Sequence, residues 1–265
     1  MVASDVDGTI LASGQREIDA RLLTQIRRLQ ARGIAFCAAS GRQYQSLRRL
    51  FRALEDDIFY LCENGAIVFR HQAQGERELV AKLELAPQFC GELIRYLAAK
   101  KDCILVLSGE NCSYLHEKDR SFGEVLSREM GNRVVLLPSY ALDALPEAPI
   151  KAAIYCERGS AREIAVCRRD WKDRYNVAEA GNDWIDFMSA NKARGLEALC
   201  RAEGFALRDV MAFGDNFNDL EMLGACGEAY LLNPKLAPFC RFPHQVIRSV
   251  ADQLECLIED LDARD

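Results

Sequence analysis

Asp5 and Asp7 stand two residues apart at the end of a short apolar stretch, in the pentapeptide Asp5-Val6-Asp7-Gly8-Thr9. In an extended segment residues i and i+2 point to the same side, so this spacing crowds two like charges onto one spot. A shared proton or a cation between them relieves the repulsion, and a hard divalent ion such as Mg²⁺ does so with oxygen ligands. Gly8 permits a sharp turn out of the strand, and Thr9 adds a hydroxyl and a backbone N–H near the same point. The pentapeptide reads as half of a phosphoryl-transfer site. Its residue types are also those of plain turns, so two further segments decide the matter.

The first is Phe36-Cys37-Ala38-Ala39-Ser40-Gly41-Arg42, an apolar run ending in a hydroxyl, a glycine and a cation. Ser40 and the adjoining N–H groups can hold phosphate oxygens at the mouth of a following helix, and Gly41 lets the backbone approach closely. The second is Val210-Met211-Ala212-Phe213-Gly214-Asp215-Asn216-Phe217-Asn218-Asp219, where another short apolar strand ends in carboxylates and amides ahead of a helical stretch from Leu220 to Leu223. Asp219 suits a helix N-terminus, but with Asp5 and Asp7 elsewhere in the chain a metal site explains more.

Asp5-Val6-Asp7-Gly8-Thr9, Ser40-Gly41-Arg42, Asn191-Lys192 and Gly214-Asp215-Asn216-Phe217-Asn218-Asp219 resemble, in order and spacing, the four motifs of the haloacid dehalogenase (HAD) superfamily. Cys62-Glu63-Asn64-Gly65-Ala66 resembles the Asn-Gly-Ala segment of its Cof-type, class IIB sugar phosphatases, and a long insertion separates the second motif from the third. The resemblance implies a Mg²⁺-dependent phosphatase acting on small phosphorylated metabolites, sugar phosphates among them. Asp5 would be the nucleophile that becomes an aspartyl-phosphate. Asp7 would protonate the leaving alcohol and then activate water, its backbone carbonyl meeting the metal. Ser40, Gly41, Lys192 and Asn218 would bind the phosphoryl group, and Asp215 and Asp219 would join Asp5 and Asp7 around Mg²⁺. A phosphomutase would retain the same residues, and a regulatory protein that binds a phosphorylated ligand without turnover is a further alternative, although a pure binder has no use for the acid at Asp7.

Two features depart from the family's pattern. Only Val2, Ala3 and Ser4 precede Asp5, so either the first strand is short or the natural start lies upstream. After Lys192 the family usually has glycine, whereas this chain has Ala193 and reaches glycine at Gly195. The role of Arg42 is open between a site cation and a solvated first-turn arginine.

The elements that must position these groups alternate as a doubly wound sheet does. Ile18, Leu22, Leu23, Ile26 and Leu29 keep a helical period. A strand over Ile34–Ala39, a helix over Tyr44–Leu54 and a strand over Phe59–Cys62 follow, and in such sheets ligands bind beyond the carboxyl ends of the strands. From about residue 76 the pattern changes. Leu79, Ala81, Leu83 and Leu85 alternate like a half-exposed strand; Phe89–Ala98 and Ala161–Tyr175 read as helices. Cys103–Leu107 and Asn111–Leu115 read as a hairpin, and Ile150–Cys156 and Trp184–Met188 as strands. The expected fold is therefore α/β, a Rossmann-like doubly wound parallel sheet core from 1–75 and 184–265 with an inserted α+β cap domain over 76–183.

A chain of 265 residues suffices for two such domains. A net charge of −6 argues against a nucleic-acid partner, and no apolar run reaches the roughly 18 residues of a membrane span. With the first motif so near Met1 there is no room for a signal peptide, and a cytoplasmic protein, monomer or homodimer, is expected. The eleven cysteines contain no Cys-x-x-Cys pair and sit singly, several in apolar runs, as small core hydrophobes in a reducing compartment do. His71, His116 and His244 are isolated, so neither a zinc site nor a Ser-His-Asp triad is expected.

Overall fold

The computed structural model describes residues 1–12, 14–54, 58–71, 77–110, 112–130, 133–140, 145–180 and 182–263. They divide into two compact units, Met1–Ala81 with Asn191–Asp265, and Lys82–Ala190.

The first unit begins with β1 (Val2–Asp5), α1 (Ala20–Gln30), β2 (Phe36–Ala39), α2 (Tyr44–Leu50), β3 (Phe59–Cys62), β4 (Ile67–His71) and β5 (Arg77–Lys82). Asp19 caps α1, its side chain accepting from the Arg21 N–H, and the helix buries Leu22, Ile26 and Leu29 as their spacing predicts. All four residues of β1 and of β2 are buried. Strands buried along their whole length in this way belong to parallel sheets covered on both faces.

The second unit carries α3 (Pro87–Leu97), β6 (Cys103–Ser108), β7 (Ser113–His116), α4 (Arg120–Met130), β8 (Val134–Leu137), β9 (Lys151–Cys156), α5 (Ala161–Trp171), β10 (Asn176–Ala180) and β11 (Trp184–Met188). Its sheet has the order β10-β11-β9-β6-β7-β8, antiparallel except for the parallel pair β7–β8. Phe89, Trp171 and Phe187 meet at its centre with ring centroids 5.5–6.1 Å apart.

The chain then returns to the first unit through α6 (Lys192–Glu203), β12 (Met211–Gly214), α7 (Leu220–Ala225), β13 (Glu228–Leu231), β14 (Gln245–Val246) and α8 (Val250–Asp262). The completed sheet has the order β14-β13-β12-β1-β2-β3-β4-β5. From β14 to β3 every pairing is parallel, and β4 runs antiparallel to β3. This is the Rossmann-like core expected from the alternation.

The units divide at other places than 75/76 and 183/184. Residues 77–82 form the edge strand of the first unit's sheet, where their alternating pattern fits as well as it would in the insertion. Trp184–Met188 pairs on both sides within the second unit, Ile185 opposite Ile154 and Val177 opposite Phe187. The helix expected over Tyr44–Leu54 ends at Leu50, and that expected over Ala161–Tyr175 ends at Trp171. Cys103–Ser108 and Ser113–His116 do pair antiparallel; Asn111, expected to open the second of these strands, lies outside the described residues. No helix among the described residues is long and apolar enough to cross a membrane.

Candidate active site

Asp5 ends β1, Ser40 follows β2 directly, and Asp215 follows β12 directly. Because β12, β1 and β2 are adjacent and parallel, these three turns share one edge of the sheet, beyond the carboxyl ends. Lys192 opens α6, whose N-cap is Asn191; the Asn191 side chain accepts from the Arg194 N–H at 2.8 Å.

Lys192 is 1 % exposed, and its Nζ donates to Asp5 Oδ1 at 2.5 Å and to Asp219 Oδ1 at 2.6 Å. Thr9 Oγ1 lies 2.8 Å from Asp5 Oδ2 and 3.0 Å from Asp215 Oδ1. A single hydroxyl proton serves only one of these carboxylates at a time. Asp219 is fully buried, and its Oδ2 accepts the Asp215 and Asn216 N–H groups at 3.0 and 2.9 Å, closing the turn after β12. Burial pushes the Asp5 carboxyl up to about 7, opposed by the Lys192 charge and reinforced by Asp219. Burial likewise raises Asp215. Lys192 is held above its usual range because Asp219 and Asp5 outweigh the burial that lowers it.

Glycine is required at two points of this shell. Gly8 has φ +92°, and a Cβ there would lie 2.3 Å from Asp215 Oδ2. A Cβ on Gly214 would lie 2.5 Å from the Asp219 side chain.

Asp5, Asp215 and Asp219 each offer an oxygen within 4.8 Å of the others. Asp7, expected beside them, is turned elsewhere: Arg42 donates to it through Nε at 2.8 Å and Nη2 at 2.6 Å. Arg42, whose part the sequence left open, is thus paired with Asp7, and its guanidinium is held more firmly charged by this contact. Ser40 Oγ is 3.4 Å from Asp7 Oδ2 and accepts from the Arg42 N–H at 3.2 Å. Gly41 passes close to Asn64, where an added Cβ would come within 3.2 Å of the side-chain amide. Asn218 Nδ2 donates to Asn64 Oδ1 at 3.1 Å, so the segment after β3 joins the turn after β12. Glu63 and Asn64 both take positive φ, 48° and 52°. That is costly for residues other than glycine and typical of backbone held for function.

These groups fit a divalent cation. Lys192 contacts Asp5 and Asp219, Arg42 contacts Asp7, and among the described residues no lysine or arginine contacts the Asp215 carboxylate. Four carboxylates beside two cations leave an excess of negative charge among hard oxygen donors, the chemistry that suits Mg²⁺.

Comparison with known proteins agrees with this geometry. Over 235 residues the chain is 25 % identical to the 5-amino-6-(5-phospho-D-ribitylamino)uracil phosphatase of Escherichia coli, covering 88 % of this chain and 84 % of that one. It shares the fold of a crystal structure from Eubacterium rectale, with a TM-score of 0.81, 21 % identity and coverage of 97 % and 98 %. A solved HAD subclass IIB sugar phosphatase superposes with a TM-score of 0.72 at 17 % identity over 97 % of this chain and 98 % of that one. The model of the haloacid dehalogenase-like hydrolase family matches residues 2–233, the span that holds every carboxylate described above, and the chain belongs to that family.

Proposed function

We propose that this protein is a Mg²⁺-dependent phosphatase that hydrolyses small phosphorylated metabolites through an aspartyl-phosphate on Asp5, with sugar phosphates the first class to test. The observation that carries this reading is the buried Lys192 bridge between Asp5 and Asp219, set beside an Asp215 carboxylate that no lysine or arginine among the described residues contacts. The relative from E. coli is named for a substrate whose phosphate sits on a sugar-alcohol chain, which is compatible with this class. The second unit is read as the inserted cap.

Asp5, Asp215 and the Asp7 carbonyl would hold Mg²⁺, which supplies neutralising charge at the phosphoryl oxygens when bound. Asp219 supports them from behind, since both of its oxygens are engaged by Lys192 and the turn's N–H groups. An Asp5 oxygen attacks phosphorus while Lys192 and Thr9 fix the carboxylate's orientation. Asp7 gives a proton to the departing alkoxide, which requires its carboxylate to leave Arg42. It then takes a proton from the water that attacks the aspartyl-phosphate, releasing phosphate and restoring Asp5. Ser40, Gly41 and Asn218 stand on the same turns to receive the remaining phosphoryl oxygens.

The test is phosphate release from a panel of sugar phosphates, nucleotides and an aryl phosphate, with and without Mg²⁺, beside Asp5→Asn and Asp7→Asn. Release that needs the metal and both aspartates supports the phosphatase. Binding without release in the wild type, unchanged in Asp7→Asn, would replace it with a ligand-binding protein.

A further inference from the structure

We propose that Cys103 and Cys156 form a reversible redox site, closing to a cross-strand disulfide by exchange with the disulfide of a small anionic thiol. The two cysteines are directly opposite in the antiparallel pair β6–β9, with their sulfurs 3.9 Å apart. One step along the ladder, the Glu157 N–H donates to the Asp102 carbonyl at 3.0 Å. The Cys156 N–H points away from β6, to the Asp183 carbonyl at 2.7 Å. Cys103 and Cys156 therefore occupy a non-hydrogen-bonded position, where facing Cα atoms are about 4.5 Å apart. That lies within the roughly 4.4–6.8 Å range spanned by disulfides, so small side-chain rotations bring the sulfurs to bonding distance without moving either strand.

Access and charge select the reagent. Both sulfur-bearing residues line a cavity of about 730 Å³, together with Lys100, Lys101, Arg158 and Arg162. These four basic residues face three carboxylates there, a balance that admits an anionic tripeptide disulfide such as glutathione disulfide. Cys103 is the more open of the pair, 8 % exposed against 2 % for Cys156. Its thiolate attacks one sulfur of the reagent and expels the first small thiol, leaving a mixed disulfide on Cys103. The Cys156 thiolate then attacks the Cys103 sulfur and expels the second. Two protein thiols are oxidised, one small disulfide is reduced to two thiols, and the protons go to the leaving groups. Burial raises Cys103 and pushes Cys156 up to about 12. The thiolate is the attacking species, so exchange is slow near neutrality and accelerates with pH.

The experiment is equilibration of the intact protein with glutathione buffers of graded ratio, followed by acid quench, alkylation and peptide mapping by mass. In oxidising buffer two thiols of the eleven should disappear into one linked peptide pair, Cys103 with Cys156, and reappear on adding dithiothreitol. Cys103→Ser and Cys156→Ser should each abolish this link, and Cys167→Ser, which alters the neighbouring buried thiol, should retain it. Wild-type mapping decides the matter even where a serine variant folds poorly. A different linked pair, a persistent glutathione adduct at Cys103 without closure, or full retention of both thiols in mildly alkaline oxidising buffer would each overturn the proposal.

Discussion

Lys192 Nζ reaches the Asp5 carboxylate at 2.5 Å across 187 residues of chain and Asp219 at 2.6 Å across 27. One cation thereby ties the end of β1 to the turn after β12. Removing it strands two buried carboxylates, a change that costs about 3–5 kcal/mol where a buried pair is broken. Lys192→Met is therefore expected to lower the denaturant midpoint and to reduce kcat by roughly 10²–10³, the scale seen when one electrostatic stabiliser of a transition state is lost. Urea titration and phosphate-release kinetics on the same variant check both. A midpoint like that of the wild type would show that the bridge contributes no net stability.

Acidity provides an independent handle. The Asp5 carboxyl is raised from 3.8 to about 7 by burial, so the folded state holds this proton more tightly than the unfolded chain does. In metal-free protein the associated stabilisation is complete below about 4 and is lost as pH rises toward about 7. Asp215 is shifted in the same direction and adds to the trend. A cation takes the place of these protons, so Mg²⁺ should raise the melting temperature more at pH 8 than at pH 5, and its binding near pH 6 should release protons. Calorimetry in buffers of different ionisation enthalpy measures that release; none at pH 6 would place Asp5 and Asp215 already ionised without metal.

Asp5 and Asp215 are legible in the sequence because each stands at the end of a short strand, where strand length and turn chemistry agree; Asp219 lies four residues further on, in the turn that leads into α7. The two-residue spacing reads Asp7 as facing the same spot as Asp5, whereas its carboxylate meets a bidentate arginine from the turn after β2, a long-range partner that spacing cannot show. Arg42 was seen only as one of two alternatives for the same reason. The edge strand β5 was assigned to the insertion because Leu79 and Ala81 alternate as they would in either sheet, and a period of two does not say which partner is paired. Trp184–Met188 falls on the core side of the expected 183/184 boundary, yet its residues pair with β9 and β10. Neither β8 nor β14 was anticipated; β14 has two residues, both exposed, and carries no apolar pattern to read.

Gly8 offers a test of how closely the backbone must approach the metal-site carboxylate. With φ at +92° and a Cβ that would lie 2.3 Å from Asp215 Oδ2, Gly8→Ala must both strain the turn, by about 1–2 kcal/mol, and push Asp215 aside. Mg²⁺ affinity should fall at least tenfold, equivalent to about 1.4 kcal/mol or more. Titration calorimetry with Mg²⁺ reads this directly. Unchanged affinity would remove Asp215 from the proposed ligand set.

Gly195 lies inside α6, where replacing glycine by alanine ordinarily stabilises a helix by about 1 kcal/mol. Here the opposite sign is expected. A Cβ on Gly195 would lie 2.6 Å from Gly65 Cα and 2.9 Å from the Gly65 carbonyl oxygen. Those are backbone atoms that cannot rotate away. Gly65 is itself fixed, with φ +93° and the Asn191 carbonyl 2.2 Å from where its own Cβ would stand. The two glycines thus set the distance between the segment after β3 and the first turns of α6, and with it the position of Lys192. Gly195→Ala should cost about 1–3 kcal/mol by overpacking and lower kcat through displacement of Lys192, with both effects read by chemical denaturation and single-turnover kinetics. A stabilised, fully active variant would mean that α6 can shift away from Gly65 without moving Lys192 from Asp5.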